Sequence, residues 1–269
     1  MKKYLKLLSA IVLVMGTMFI TSCGDDEGGG APVVPPAPIK TISLDYDGTG
    51  AEVERWEFFY DTEGRVESID VYYNDDFDKE ITYDYTVAGK LTIDNNGNLT
   101  LFDIDAEGRV IKEYGDPLVD DEYTGFVYDD DDFLVEIFEH YDGTDHLKFE
   151  MTLDDGNDNV IHRIRYEDDG VTVREDREFE YTIGDNASEI HQIYAVDSEW
   201  KWVGGVYGRQ SKKLVDSFVR HITAEPGTSY GATYTYTFDT EDRVATSTKN
   251  GTSSGGPYTE KWTYTYYED

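Results

Sequence analysis

The chain has 269 residues, and its 57 acidic against 23 basic side chains give a formal net charge of −34. That balance excludes a nucleic-acid-binding module, which needs clustered positive charge to displace counterions. Such acidity often accompanies disorder, but aromatics make up 14% of the chain, with 22 Tyr, 12 Phe and 4 Trp, so a packed core is available.

In chain order the first element is a targeting segment. Lys2, Lys3 and Lys6 precede an apolar run from Leu7 to Ile20, which ends in Thr21, Ser22 and the only cysteine, Cys23. The run is shorter than the roughly 20 residues of a spanning helix and reads as a secretory signal. Ile20-Thr21-Ser22-Cys23 resembles a bacterial lipobox. The resemblance implies a signal peptide over residues 1–22 and a lipid on Cys23, the contact with the membrane. Its two acyl chains would meet the requirement for stable anchoring. With Cys23 acylated no thiol remains, which excludes disulfides, cysteine catalysis and Cys-ligated metals from the folded part.

Residues 23–39 then combine the lipidated Cys with an acidic, Gly- and Pro-rich tether. Asp25-Asp26-Glu27 behind Cys23 resembles the export signal of Bacteroidetes surface lipoproteins, which implies an outer-membrane protein facing the cell exterior.

Residues 40–269 read as a single β domain. Apolar and polar residues alternate strictly in Trp56–Tyr60, Phe149–Leu153, Phe179–Ile183, Tyr234–Phe238 and Trp262–Tyr266, one face large and apolar, the other charged or Thr. Between the runs a hairpin recurs, clearest in Tyr60-Asp61-Thr62-Glu63-Gly64-Arg65-Val66, Ile104 to Val110 and Phe238 to Val244. Looser copies run from Tyr85 to Leu91, Ile93 to Leu99, Tyr128 to Leu134, Leu153 to Val160 and Ile183 to Ile190. Asp bonds its own turn backbone and Gly supplies a positive φ, so these types punctuate strands. A repeat of about 22–25 residues is that of a meander.

The spacing predicts an all-β antiparallel meander of about 14–18 strands, too many for a flat open sheet. Closure into a soluble barrel removes exposed edges and is the expected layout; a two-layer β-sheet is the alternative. The Tyr-Asp-x-x-Gly-Arg-Val copy at 60–66 resembles the tyrosine-aspartate repeat of Rhs-type shell proteins. The layout as a whole, a lipoprotein signal followed by one Tyr- and Asp-rich β domain, resembles a Bacteroidetes lipoprotein family of unknown function with a porin-like fold. That resemblance implies a fold and no activity. Tyr stands mid-strand at Tyr234, Tyr236, Tyr264 and Tyr266 and not in girdles, which favours a tethered barrel over a membrane-spanning one.

Catalytic signals are weak. So many carboxylates single out no pair, His140, His146, His162, His191 and His221 show no metal-binding spacing, and no nucleophile elbow is present. Asp129–Asp132 and the set Asp154, Asp155, Asn157 and Asn159 offer hard oxygens to calcium, but Val160 stands where an EF-hand needs Gly and no helices flank it, so solvated turns are the preferred reading of both. No other cofactor is indicated. Trp200 and Trp202, beside Gly204, Gly205 and Gly208, interrupt the alternation and are the candidate ligand-contact surface, whereas Trp56 and Trp262 belong to the core. The reading is a non-enzymatic surface lipoprotein that binds or scaffolds a glycan or a surface protein partner. A secreted carboxylate-dependent hydrolase and an envelope structural or transport accessory protein are the alternatives.

Overall fold

The computed structural model describes residues 38–115, 121–156, 158–181, 184–186, 188, 190, 203, 205–225 and 227–268. Among them every regular element is a strand. The first half contributes β1 (Ile39–Asp45), β2 (Val53–Tyr60), β3 (Val66–Tyr73), β4 (Asp76–Asp84), β5 (Lys90–Asn95), β6 (Asn98–Ile104), β7 (Val110–Tyr114) and β8 (Tyr123–Tyr128). The second contributes β9 (Leu134–Tyr141), β10 (Thr144–Leu153), β11 (Val160–Tyr166), β12 (Val173–Glu180), β13 (Ser217–Ile222), β14 (Ser229–Phe238), β15 (Val244–Ser253) and β16 (Gly256–Tyr266). Each strand pairs antiparallel with its chain neighbours, and β1 closes on β16 through Ile42↔Tyr264 and Leu44↔Trp262. The barrel forms and the two-layer alternative does not.

Alternation sets which face is inside. On β16, Trp262, Tyr264 and Tyr266 are buried while Lys261, Thr263 and Thr265 are exposed; on β14, Ala232 and Tyr234 are buried between exposed Thr233 and Thr235. Phe58, Ile69, Ile81, Leu91 and Phe102 carry the same face around the first half, and Trp56 and Trp262 both sit in the core as expected. The inner face of these strands is thus apolar and aromatic, as burial of apolar surface favours.

The hairpin repeat is a rim device. In the β2–β3 turn Asp61 Oδ1 accepts the N–H groups of Glu63 and Arg65 at 2.8 and 3.0 Å, and Oδ2 accepts Arg65 Nε at 2.8 Å. Asp105 with Arg109 and Asp239 with Arg243 repeat all three bonds. Each Arg then covers an aromatic ring of the next copy: Arg65 over Tyr85, Arg109 over Tyr128 and Arg243 over Tyr266, at 4.4, 4.7 and 4.6 Å. Tyr128 donates to Val110 O, Tyr181 to Val160 O and Tyr266 to Val244 O, which bonds these copies to their predecessors, whereas the buried Tyr85 hydroxyl has no hydrogen-bond partner among the described residues. A register shift precedes each of these turns, as at Phe59/Tyr60 and Asp103/Ile104, and adds the local twist that bends the rim closed.

The fourth turn residue has positive φ in every such copy: Gly64 and Gly108, but Asp132 and Asp242. Asp242→Gly is therefore expected to stabilise the protein by up to about 1 kcal/mol, because Gly carries no Cβ penalty there. Asp239→Ala, which strips three acceptor contacts from the same turn, is expected to cost about 1–2 kcal/mol. Urea unfolding of the two variants checks the opposite signs; shifts in the same direction would reject this account of the turn.

Two expected hairpins differ. Ile93 to Leu99 turns at the opposite end of the barrel through Asn96 and Gly97, both at positive φ, with Gly97 N–H bonded to Asp94 Oδ1 at 2.6 Å. Of Ile183 to Ile190 the structure describes residues 184–186, 188 and 190, which belong to the connection between β12, ending at Glu180, and β13, beginning at Ser217; there Asp185 bridges to Lys213. Described parts of that long connection instead cover the Tyr-Asp rim, adding Ile190, Val203, Val206, Tyr207, Leu214 and Val215 to the core. The N–H groups of Val110, Val160 and Val244 at the rim find acceptors there, in Val206 O, Ser211 Oγ and Ser188 Oγ. Gly208 must be glycine, since a Cβ would stand 2.3 Å from Asp132 O. A buried backbone donor without an acceptor is costly, which is why this end needs a cover built from chain.

Candidate functional site

The register of β11, β12 and β13 sets Arg163, Arg177 and Arg220 side by side in one row on the inner face, through Arg163↔Arg177 and Arg177↔Arg220. Two residues along β12, Glu175 receives all three: Arg163 Nη2 and Arg177 Nη2 reach Oε1 at 3.0 and 2.8 Å, and Arg220 Nη2 reaches Oε2 at 2.6 Å. The side chains of Glu175 and Arg163 are only 4% and 6% exposed. Burial pushes the Glu175 carboxyl up, but the charges of Arg177, Arg163 and Arg220 outweigh it and hold it below the ordinary carboxylate range. Burial and then the like charge of Arg177 bring the Arg163 guanidinium down.

Basic character continues along this wall. Arg165 faces Glu175 in register and lies over the Phe149 ring at 5.5 Å, without an ion-pair partner among the described residues. Arg177 packs over Phe218 at 4.6 Å, and Lys249 pairs with Glu260 at 2.8 Å while facing the rings of Tyr258 and Trp262. Five cations thus meet two carboxylates on the inner face of β11–β16, in a chain of net charge −34. The Nε atoms of Arg177 and Arg220 are buried and lack a hydrogen-bond partner among the described residues.

A second feature is a depression of about 1010 Å³ between β13–β16 and the β1–β2 loop. Its lining includes Tyr46 and Asp47 from the loop and the exposed Thr233, Asn250 and Thr252. Thr259 Oγ1 bonds Asn250 Oδ1 at 2.9 Å, and Gly48 packs against the Thr259 methyl, which seats the loop as one wall.

Of the sites expected from sequence, the structure describes the Asp129 and Asp154 turns. Asp154 is a turn acceptor: it takes Asp158 N–H at 2.9 Å and Asn159 Nδ2 at 2.7 Å, while Asn159 Oδ1 takes Lys213 N–H at 2.8 Å. Burial raises the Asp154 carboxyl, but these bonds win and hold it below its ordinary value. The oxygens that suggested calcium therefore fasten the rim cover to the β10–β11 turn. Asp155 is exposed, and Asn157 lies outside the described residues. Asp129 does the turn work of Asp61, accepting Asp131 and Phe133 N–H groups at 3.0 and 2.9 Å. No group of three or more His, Cys, Asp or Glu among the described residues could hold a metal ion. Cys23, Trp200 and Trp202 also lie outside the described residues.

Sequence reading missed the arginine row. Its trace is present in Arg163-Ile164-Arg165 and Glu175-Asp176-Arg177, where period-two alternation puts charge on the positions that neighbouring strands fill with Trp, Tyr or Ile. Nothing local shows that those positions face inward together.

Closure, strand order and polarity define the class: a sixteen-stranded antiparallel barrel of porin-like fold. The chain is similar to the crystal structure of a porin-like protein from Bacteroides uniformis ATCC 8492, with a TM-score of 0.64 and 18% identity over 87% of this chain and 99% of that one. It is also similar to a porin-like protein from Bacteroides vulgatus ATCC 8482, with a TM-score of 0.52 and 12% identity over 86% and 100% of the two chains. At such identities the likeness is one of fold. No protein-family model matches the sequence, and no curated protein matches it.

Proposed function

We propose that this chain is an exported lipoprotein, held by Cys23 at the outer face of the outer membrane, whose barrel is a non-enzymatic binding module and not a membrane-spanning channel. The observation that carries the reading is the direction of the alternation. A lipid-spanning barrel needs an outward apolar band roughly 25 Å tall, and each Lys or Arg at mid-depth on that face costs about 2–4 kcal/mol. Here the outward positions hold Arg55 and Glu57 on β2, Glu80, Thr82 and Asp84 on β4, and Lys261 and Thr263 on β16, while the apolar set faces inward. Water suits such an outer wall, and the lipobox supplies the attachment that the wall itself does not. The depression beside β13–β16, rich in hydroxyl and amide groups, suits a glycan.

Fractionation of a Gram-negative host tests this. Wild-type protein is expected in the outer membrane with a fatty-acid label and open to added protease, and Cys23→Ser should lose the label and the outer-membrane retention. A Cys23→Ser chain that stays integral to the outer membrane and resists alkaline extraction would overturn the tethered reading.

A further inference from the structure

We infer that the inner wall of β11–β13 holds a compact multivalent oxyanion, a phosphate or clustered carboxylates, on Arg177, Arg220 and Arg165. The inference goes beyond the surface-binding reading and is independent of Cys23.

Charge is the first argument. Arg163, Arg177 and Arg220 share one carboxylate, Glu175, and Arg165 beside it has no ion partner among the described residues. Guanidiniums placed directly opposite one another on paired strands, as Arg177 and Arg220 are, repel. A chain this acidic has carboxylates to spare, yet it leaves this wall in cationic excess. A bound anion removes that repulsion.

Donor geometry is the second. A guanidinium offers five N–H donors in a planar fork, and Glu175 engages a terminal nitrogen of Arg177 and of Arg220. Their Nε–H groups are left without an acceptor, on two neighbouring strands. An oxyanion with several oxygens can accept from both forks at once, as a chloride cannot. The side chains of Arg177 and Arg220 keep 20% and 35% exposure, so a solute can reach the guanidiniums beyond their buried Nε atoms, which side-chain rotation would have to turn toward it. Phe149 and Phe218 pack beneath the guanidiniums and exclude water from their other faces, which strengthens attraction to an anion.

Calorimetric titration of the full chain in detergent with inorganic phosphate, and separately with citrate, tests the site at an ionic strength held constant with chloride. Saturable binding of either is expected, and the pair of ligands tells a phosphate site from a carboxylate site. Arg220→Gln and Arg177→Gln should each weaken binding by about tenfold or more, since each removes charge-assisted donors. Glu175→Gln removes the competing carboxylate and should tighten binding. No saturable binding of either anion overturns the proposal, as does an affinity unchanged in Arg220→Gln. Should the variants of Arg177, Arg220 or Glu175 fail to fold, Arg165→Gln, which leaves the Glu175 ion pairs intact, takes their place, and an unchanged affinity there overturns the proposal equally. None of these outcomes bears on where the chain is anchored.

Discussion

Glu175→Ala is expected to lose about 3–5 kcal/mol of stability, the loss typical of removing one partner from a buried ionic cluster. The mechanism is the excess it leaves: Arg163, Arg177 and Arg220 would face one another across adjacent strands with no carboxylate between them. Against a total stability of about 5–15 kcal/mol, that is enough to unfold a marginal domain. Urea unfolding followed by tryptophan fluorescence measures it, and a Glu175→Ala midpoint equal to wild type would reject the cluster as described. Phosphate should recover more stability in Glu175→Ala than in wild type, because the anion replaces the missing charge. Acid should act like the mutation. The folded Glu175 carboxyl lies below its ordinary value of 4.5, so its contribution is complete above that pH and is lost as pH falls through the folded value.

Alkali should unfold the barrel cooperatively. Burial pushes the hydroxyls of Tyr85 and Tyr266 up to about 12 and those of Tyr60, Tyr128, Tyr181 and Tyr234 further still, from an ordinary 10.0. Four of the six also donate to a rim carbonyl: Tyr60 to Ile39 O at 2.7 Å, Tyr128 to Val110 O at 2.7 Å, Tyr181 to Val160 O at 2.6 Å and Tyr266 to Val244 O at 2.8 Å. A phenolate cannot make that bond. Below pH 10 both folded and unfolded chains keep these protons and nothing is lost. Above it the unfolded chain releases protons that the folded one retains, so stability falls with rising pH by about 1.4 kcal/mol per such tyrosine per pH unit. Six of them together exceed a typical total stability within about one to two units. Tyrosinate absorbance and far-UV circular dichroism, titrated in parallel, should show these six tyrosines ionising in one step with the loss of β signal. Gradual ionisation of all tyrosines with β structure intact would refute the coupling.

How far the sequence reaches depends on the range of the interaction. Strand identity is local: period-two alternation in Tyr234–Phe238 and Trp262–Tyr266 dictates both the strand and its buried face. The Tyr-Asp turns are local as well, because Asp61 bonds the backbone and side chain of residues two and four places on. Short turns between consecutive strands then leave a meander as the topology, and counting the runs brackets the sixteen strands within about 14–18.

Other features exist only once distant residues meet. Closure requires Leu44 to register with Trp262, a pairing no local pattern encodes. Ile183 to Ile190 resembles another hairpin in sequence, yet described parts of the connection it belongs to accept the N–H groups that Val110, Val160 and Val244 present at the rim. Asp154 and Asn159 offer oxygens of the kind a cation takes, and the tertiary structure shows backbone and side-chain donors bonded to those oxygens. The arginine row is decided the same way. Arg163, Arg177 and Arg220 stand far apart along a very acidic chain, and sheet register alone turns them into one basic surface, since electrostatic interaction follows distance in space and not in sequence.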